Sequence, residues 1–438
     1  MLSVRPAKDV VLAGGLRTAF ARAGGALRRE DAGHLGARVA REVLARSGVE
    51  PGDVDQLVCG CVGPPHDQAN VARVIALRAG LPESVPALTV ARNCASGMEA
   101  VTQAATLIEA GQGELFLVVG VEVMSAYPLI FGRGMTDLFA KLSRARSPWA
   151  KLGALGRFRP SFLAPRVALM EGLTDPTCGL IMGRTAEVLA REFAITREES
   201  DAYALQSHLR ARAARDAGRL GHEILPHLPL EAREGDRALE ADEGIRDGQT
   251  LKALAKLRPY FEKPDGVVTV GNSCGVTDGA AALLVTTAER ARELGLEALA
   301  GVRSFAWAAL APHRMGLGPV YASAGALDAG GCALADCDAI ELNEAFATQV
   351  LACEKAFGSE RFARQELGRD AALGELDLAR TNRNGGAIAL GHPVGATGTR
   401  LLLTAARELK AGDGELALAT LCIGGGQGGA VVLERRAA

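Results

Sequence analysis

A chain of 438 residues with 48% hydrophobic content carries apolar material for two or three packed units. Its formal charge is −2, its aromatic content is 4%, and no basic stripe of the kind nucleic acid requires stands out, so nucleic acid is not an expected partner. The nine cysteines are odd in number and follow no disulfide-scaffold spacing, which predicts a reducing, cytoplasmic setting. Met1 to Asp9 lacks the apolar stretch of a secretion signal, and nowhere do 18 apolar residues run together, so no spanning helix is predicted.

Val10 to Gly15 reads as a buried strand. Leu35, Val39, Val43 and Leu44 recur at helical steps, predicting a helix over 30–47 that Gly48 stops. A second strand over 55–60 and a second helix over 69–79 follow. Cys59 and Cys61, too close for an ordinary metal pair, read as packing at that strand's end. Val85 to Val90 reads as a third strand. Met98, Val101, Ala105 and Ile108 then place a helix directly after Arg92-Asn93-Cys94-Ala95-Ser96-Gly97, and Glu114 to Val121 returns to strand. Strands alternating with helices imply parallel pairing in a layered α/β core.

Residues of about 125–265 break the alternation and read as an insertion on the first half. A basic, aromatic-containing segment comes first (Lys141, Arg144, Arg146, Trp149, Lys151, Arg157, Phe158, Arg159, Phe162), followed by a long charged helix over about 184–218 and a loop-rich stretch. Strand character returns at Val267 to Val270 and again from Asp278 to Thr286.

Comparing the two ends shows a repeat. Ala110-Gly111-Gln112-Gly113-Glu114-Leu115 closes one helix and enters a strand, and Ala411-Gly412-Asp413-Gly414-Glu415-Leu416 does the same later. The later helix follows Gly391-His392-Pro393, so Cys94 and His392 occupy similar slots. Two similar halves packed about a pseudo-dyad would bring their helix starts together.

Four stretches carry candidate chemistry. A cysteine ahead of a helix meets unpaired N–H groups and the positive end of the helix dipole, which favour a thiolate at Cys94. Asn343-Glu344 sits at a strand-to-helix turn, where a carboxamide can hold a water or orient a ring. His392 lies between Gly391 and Pro393, and the crowding of glycines around it suits close approach of a ligand. Cys422 ends a strand and precedes Gly424-Gly425-Gly426, whose backbone N–H groups can form an oxyanion hole. A phosphate-cradling loop is the rival there, but no Gly-Lys-Ser/Thr follows.

Asn93-Cys94-Ala95-Ser96-Gly97, Asn343-Glu344-Ala345-Phe346, Gly391-His392-Pro393 and Cys422-Ile423-Gly424-Gly425-Gly426, in this order, resemble the four signature blocks of the thiolase family. Gly15 to Phe20, Met182 to Glu187, Lys256 to Pro259 and Gly271 to Ser273 extend the resemblance over nearly the whole chain. It implies an α/β thiolase fold of two pseudo-symmetric βαβαβαββ halves in a layered αβαβα core. The halves are placed at 1–288 and 289–438, with the loop domain at about 125–265. It further implies CoA-dependent cleavage of 3-ketoacyl-CoA to acetyl-CoA and a shortened acyl-CoA, closest to the degradative β-oxidation branch that includes the thiolase subunit of trifunctional enzymes. No permanently bound cofactor is implied, CoA and acetyl-CoA being substrates. The alternatives are a biosynthetic acetoacetyl-CoA-forming acetyltransferase, a ketosynthase-type condensing enzyme and an inactive CoA-ester or lipid-binding scaffold.

By the same resemblance Cys94 is the acyl-accepting nucleophile, His392 its base, and Cys422 the proton donor and acceptor at the acetyl carbanion. His392 with a water on Asn343 forms one oxyanion hole, and the N–H groups of Cys94 and Gly424 form the other. Met182, Arg246 and Cys274 are carried over as substrate contacts. Three positions depart from the family pattern: Ile181 replaces a histidine of many short-chain members, Cys274 a serine at the pantetheine chain, and Ala253 a serine near the adenosine phosphate. Asn343 departs from the trifunctional branch, which commonly has histidine there. Expected partners are CoA thioesters, further copies of the chain in a homodimer or homotetramer, and a hydratase/dehydrogenase. The basic, aromatic segment 141–166 also suits a peripheral contact with an anionic membrane.

Overall fold

The structure, a computed structural model, describes residues 1–436, so the last two residues of the expected second half lie outside the described residues. In chain order the first half comprises β1 (Val10–Thr18), α1 (Ala32–Ser47), β2 (Gln56–Gly60), α2 (Val71–Ala79), β3 (Ala87–Val90), α3 (Ser96–Glu109) and β4 (Leu115–Val123). After α4 (Arg133–Arg144), α5 (Pro148–Leu155), α6 (Met182–Glu192) and α7 (Arg197–Asp216) the chain returns to the sheet as β5 (Thr277–Thr287). The remainder is β6 (Ala298–Ala309), α8 (Gly318–Gly330), β7 (Ala339–Leu342), α9 (Ala347–Phe357), α10 (Val394–Ala411), β8 (Leu416–Ile423) and β9 (Gln427–Glu434).

The strands run in the order β7-β8-β9-β6-β1-β5-β4-β2-β3. β3, β2 and β4 pair in parallel, and β4, β5 and β1 antiparallel. The second half repeats this: β7 and β8 are parallel, β8, β9 and β6 antiparallel, and Thr381 bridges Ile340 in parallel where β3 has its counterpart. β1 and β6 join the halves antiparallel. The repeated turns are built alike. Asp55 Oδ2 accepts the N–H groups of Glu114 and Leu115 at 2.7 and 2.9 Å, and Asp338 Oδ2 accepts those of Glu415 and Leu416 at 2.7 and 3.3 Å.

Alternation along the strands sorts side chains into layers. In β4, Leu117 and Val119 pack with α1 and α2, while Phe116 and Val118 face the central layer. In β8, Leu418 packs with α8 and α9, while Ala417 and Ala419 face that same centre. The centre is α3 against α10, sandwiched between the two sheet halves. Leu401, Leu402 and Leu403 are each fully buried there, worth about 2 kcal/mol apiece by area. Glycines set how closely the two helices approach. A Cβ at Gly97 would lie 2.6 Å from the Gly395 carbonyl oxygen, and one at Gly398 would strike the backbone nitrogen of Met98. Alanine at either position would push the helix starts apart.

Two expectations change. The charged helix over 184–218 is two helices, α6 and α7, because Thr196 and Glu199 form a capping box that starts α7 and Ala194 takes φ +49 between them. Val267 to Val270 is not a strand: Val267 and Val268 give their N–H groups to the Glu187 carboxylate rather than to a ladder. The excursion between the adjacent strands β4 and β5 also includes a small hairpin of Leu129–Phe131 with Pro165–Val167. α6 and α7 pack onto the second half, with Leu189 and Tyr203 joining the cluster around α9. No helix among the described residues is long and apolar enough to cross a membrane.

Candidate active site

Cys94 lies between β3 and α3, two residues before the first residue of that helix. Asn93 holds the turn at φ +42, a conformation asparagine tolerates better than most residues, and its Nδ2 donates to the Gly424 carbonyl at 2.8 Å. Ser96 Oγ accepts the Arg92 N–H at 2.9 Å and donates to the Asn93 carbonyl at 2.8 Å. The nucleophile loop is therefore pinned to its own helix and to the glycine turn after β8.

The sequence predicts a thiolate at Cys94. The structure gives a thiol at rest instead. Burial pushes its pKa up, the N–H groups of Gly424 and of Cys94 itself pull it down, and the charge of Glu122 pushes it up again. Desolvation wins because the sulfur stands ahead of the helix against a largely apolar wall. The two N–H groups directed at this sulfur are the pair expected to form an oxyanion hole.

His392 stands two residues before α10, the slot Cys94 holds before α3. Its Nδ1 lies 2.6 Å from Thr397 Oγ1, and that hydroxyl donates to the Pro393 carbonyl at 2.9 Å. With the hydroxyl proton used there, Nδ1 is the protonated nitrogen and Nε2 keeps its lone pair. Nε2 is buried and has no partner in the described protein. Burial, followed by the charge of Arg400, lowers the imidazole to about 3. The ring is a neutral base.

Asn343 follows β7 and is fully buried, yet neither its Oδ1 nor its Nδ2 has a partner among the described residues. A buried amide left unpaired costs about 1–3 kcal/mol, so the group is placed for a water or a substrate oxygen. Cys422 ends β8, buried among Ala186, Val268, Met315, Ala345 and Phe346. Burial first, then the nearby Cys94, Cys353 and Cys274, hold its thiol well above the usual range. Cys274 is pushed to about 12 by burial and by Cys94.

A cavity of about 400 Å³ opens above Cys94. Val62, Met124, Tyr127, Leu169, Leu173 and Met182 form its largely apolar walls, with Gly424 at the rim. Met182 is thus a cavity wall residue rather than a polar contact. A second, small cavity of about 60 Å³ is lined by Arg22, His208, Arg246, Ser273, Gly275 and Gly391. Arg246 stands here, away from the thiol cavity, and its N–H lies 3.4 Å from His208 Nδ1. Burial and Arg246 lower His208 to about 4. Cys274, between Ser273 and Gly275 in sequence, lines neither cavity, and its charge acts on Cys422.

Sequence reading missed Thr397, whose five-residue step from His392 on a helix start was the available signal. It also missed Tyr127, Leu169 and Leu173, which reach the cavity only through the folding of the loop domain. Of these groups only Cys94 lines the apolar cavity, while His392, Cys422 and Asn343 are buried. A thiol, a neutral imidazole, a second thiol and an unpaired amide are the groups that acyl transfer through a covalent thioester uses.

Comparison with known proteins points the same way. Residues 10–289 match the family profile "Thiolase, N-terminal domain" and residues 296–435 match "Thiolase, C-terminal domain". The chain belongs to the thiolase family. The 3-ketoacyl-CoA thiolase of Pectobacterium carotovorum subsp. carotovorum (strain PC1) is 39% identical over 435 residues, covering 99% of this chain and 98% of that one. The protein of the same name from Yersinia pestis (strain Pestoides F) is 40% identical over 434 residues, with 99% and 98% covered. Among solved structures, human mitochondrial 3-ketoacyl-CoA thiolase in complex with CoA is 35% identical with a TM-score of 0.83, covering 98% of each chain. Bacillus anthracis acetyl-CoA acetyltransferase is also 35% identical, with a TM-score of 0.85 and 98% and 100% covered.

Proposed function

We propose that this chain is a 3-ketoacyl-CoA thiolase. It takes a 3-ketoacyl-CoA and CoA to acetyl-CoA and an acyl-CoA two carbons shorter, in fatty acid β-oxidation. The observation that carries the reading is the apolar cavity of about 400 Å³ ending on Cys94, within the size range of small-molecule sites and far larger than an acetyl group needs. That size favours degradation of longer chains over the biosynthetic acetyltransferase. Cys422, a second thiol where ketosynthase-type enzymes carry none, argues against that alternative.

The site residues would act in the following order. His392 Nε2 takes the Cys94 proton, and the sulfur attacks the 3-keto carbonyl. The N–H groups of Cys94 and Gly424 hold the resulting oxyanion. Collapse breaks the C2–C3 bond, leaving the acyl group on Cys94. The departing acetyl-CoA enolate, held by His392 and a water on Asn343, takes the proton of Cys422. The Cys422 thiolate then deprotonates incoming CoA, whose sulfur attacks the acyl-Cys94. Cys94 leaves as a thiolate and recovers its proton from His392. No resident cofactor is needed, and the kinetics are ping-pong.

Arg246 and Cys274 line the approach of the CoA arm. Residues 1–288 and 289–438 act as one catalytic unit carrying the loop domain as an insertion of about 125–265. The working form is a cytoplasmic homodimer or homotetramer that receives substrate from a hydratase/dehydrogenase. The decisive assay follows loss of the Mg-enolate absorbance of 3-ketoacyl-CoA on adding CoA. With 3-ketohexadecanoyl-CoA, kcat/KM at least equal to that with acetoacetyl-CoA is expected. Cleavage of acetoacetyl-CoA alone would move the reading to the biosynthetic acetyltransferase.

The segment 141–166 contacts anionic membrane surface. Lys141, Arg144, Arg146, Lys151, Arg157 and Arg159 form no ion pair among the described residues, while Trp149 is 81% exposed beside exposed Leu152, Leu155, Phe158 and Leu163. The other tryptophan, Trp307, is buried, so the environment-sensitive emission reports on Trp149. Anionic vesicles at low salt should shift it to the blue and neutral vesicles should not. An unchanged spectrum with both removes this contact.

A further inference from the structure

A carboxylate whose charge acts on Cys94 takes no step in this chemistry. Glu122, on β4, is fully buried. Oε1 accepts the Gly63 N–H and the Tyr127 hydroxyl, both at 3.0 Å, and Oε2 accepts the N–H groups of Val62 at 3.0 Å and Gly395 at 3.1 Å. Val62, Gly63 and Tyr127 are walls of the cavity above Cys94. Gly395 is in the first turn of α10, three residues past His392. One carboxylate therefore ties the acyl cavity of the first half to the base of the second. Glycine at 395 allows this approach, since a Cβ there would strike the Val121 carbonyl oxygen and lie 2.7 Å from Glu122 Oε2.

Glu344 is the counterpart on the other side of His392. It accepts the Ile388 N–H at 3.2 Å, four residues upstream, together with the Tyr203 hydroxyl at 3.0 Å, Ser207 Oγ at 2.6 Å and Asn382 Nδ2 at 3.0 Å. Glu344 thus takes four neutral donors, Glu122 takes four N–H or O–H donors and the Cys61 thiol, and neither takes a cation among the described residues. A buried charge is tolerated only when its lone pairs are filled, and such charge-assisted bonds hold their donors in place. The two differ in what else they face. Glu122 faces Cys61, whose sulfur is 3.8 Å away, Tyr127 and Cys94. Glu344 faces Tyr203 and Cys274. Cys94 in turn faces Glu122, Cys274 and Cys422.

We propose that Glu122 is a positioning residue of the thiolytic site, fixing the start of the His392 helix against the acyl-cavity wall and, when ionised, acting on Cys94 through its negative charge. This rests on the thiolase reading above. That charge adds to the burial that keeps the nucleophile protonated until His392 accepts its proton, and the backbone and hydroxyl bonds keep His392 in register with the cavity.

Glu122→Gln keeps the shape and removes the charge. The iodoacetamide midpoint of Cys94 should fall by about half a pH unit, making alkylation at neutral pH faster, while kcat for thiolysis falls roughly tenfold through lost register. A lower midpoint at an unchanged limiting labelling rate, with slower turnover, is a combination that simple loosening of the fold does not give, since loosening raises the limiting rate. Glu344→Gln should lower kcat and leave the midpoint where it was. Glu122→Asp keeps the charge but is one methylene short of Gly395, so it should keep the midpoint and lower kcat. Native midpoint and native kcat in Glu122→Gln overturn the proposal, as does loss of kcat without a midpoint shift. Should that variant not accumulate folded, Glu122→Asp decides alone, and native kcat there overturns it. Failure of the unsubstituted chain to label at Cys94 would instead count against the thiolase mechanism itself.

Discussion

In the first half, the residue two places before the central helix is Cys94, and in the second half it is His392. The frames around them match down to the aspartates, Asp55 and Asp338, that hold the repeated turns. Burial acts on the two slots in opposite directions. It pushes the Cys94 thiol up and the His392 imidazole down to about 3, so both are neutral at rest. A duplicated frame has thus been given a proton donor in one slot and an acceptor in the other. An ion pair between them is unfavourable until a substrate oxyanion enters the holes around it. The site is then quiet when empty and activated by occupancy, which suits a reactive thiol lying in an apolar cavity.

The largest effect should come from removing the difference between the slots. His392→Gln keeps a polar group but no base, and kcat for thiolysis should fall about a thousandfold or more. A loss of only a few-fold would mean that the slots are not functionally distinct. Cys422→Ala is next. The variant should still accept an acyl group from acyl-CoA on Cys94, but exchange of the α-protons of acetyl-CoA should drop by roughly a hundredfold or more. Retained exchange would remove the acid/base role of the second thiol.

A smaller effect is thermodynamic. His392 in the folded chain has a lower pKa than in the unfolded chain. Below about pH 6.5 the unfolded chain takes up a proton that the folded one refuses. Stability should therefore fall as pH drops from about 6.5 toward about 3, and His392→Gln should remove about 1.4 kcal/mol of that loss per pH unit in urea unfolding. An unchanged acid slope would show that the imidazole is not held neutral. The smallest effect tests the frame itself. Asp55→Asn and Asp338→Asn should each cost about 1–2 kcal/mol and match each other closely. A large disparity would mean that the two turns are alike in sequence only.

The strands and helices of the first half were legible because each carries its own period of apolar residues, as in Met98, Val101, Ala105 and Ile108. In the second half the helix after Pro393 and the strand after Gly414 were read, while β6 and α8 were not. The signature stretches were legible because glycines and small residues are rare in such density except where backbones meet. Three things were not. The break at Phe193 to Thr196 was hidden because charged residues flank it on both sides, and only the Thr196–Glu199 capping pair marks it. The protonation of Cys94 was misread because a helix start argues for a thiolate while the desolvation that opposes it comes from residues distant in sequence. The bracketing of His392 by Glu122 and Glu344 was out of reach for the same reason: the donors to Glu122 come from 62, 63, 127 and 395.

The central claim is that the first half's slot carries the acyl group and the second half's slot carries the proton. Mixing the protein with a 3-ketoacyl-CoA in the absence of CoA tests it directly, by mass analysis of the trapped enzyme alongside measurement of released acetyl-CoA. One equivalent of acetyl-CoA and a single acyl adduct on Cys94 are predicted. An adduct on Cys422 or Cys274, or turnover with no adduct at all, would contradict the account.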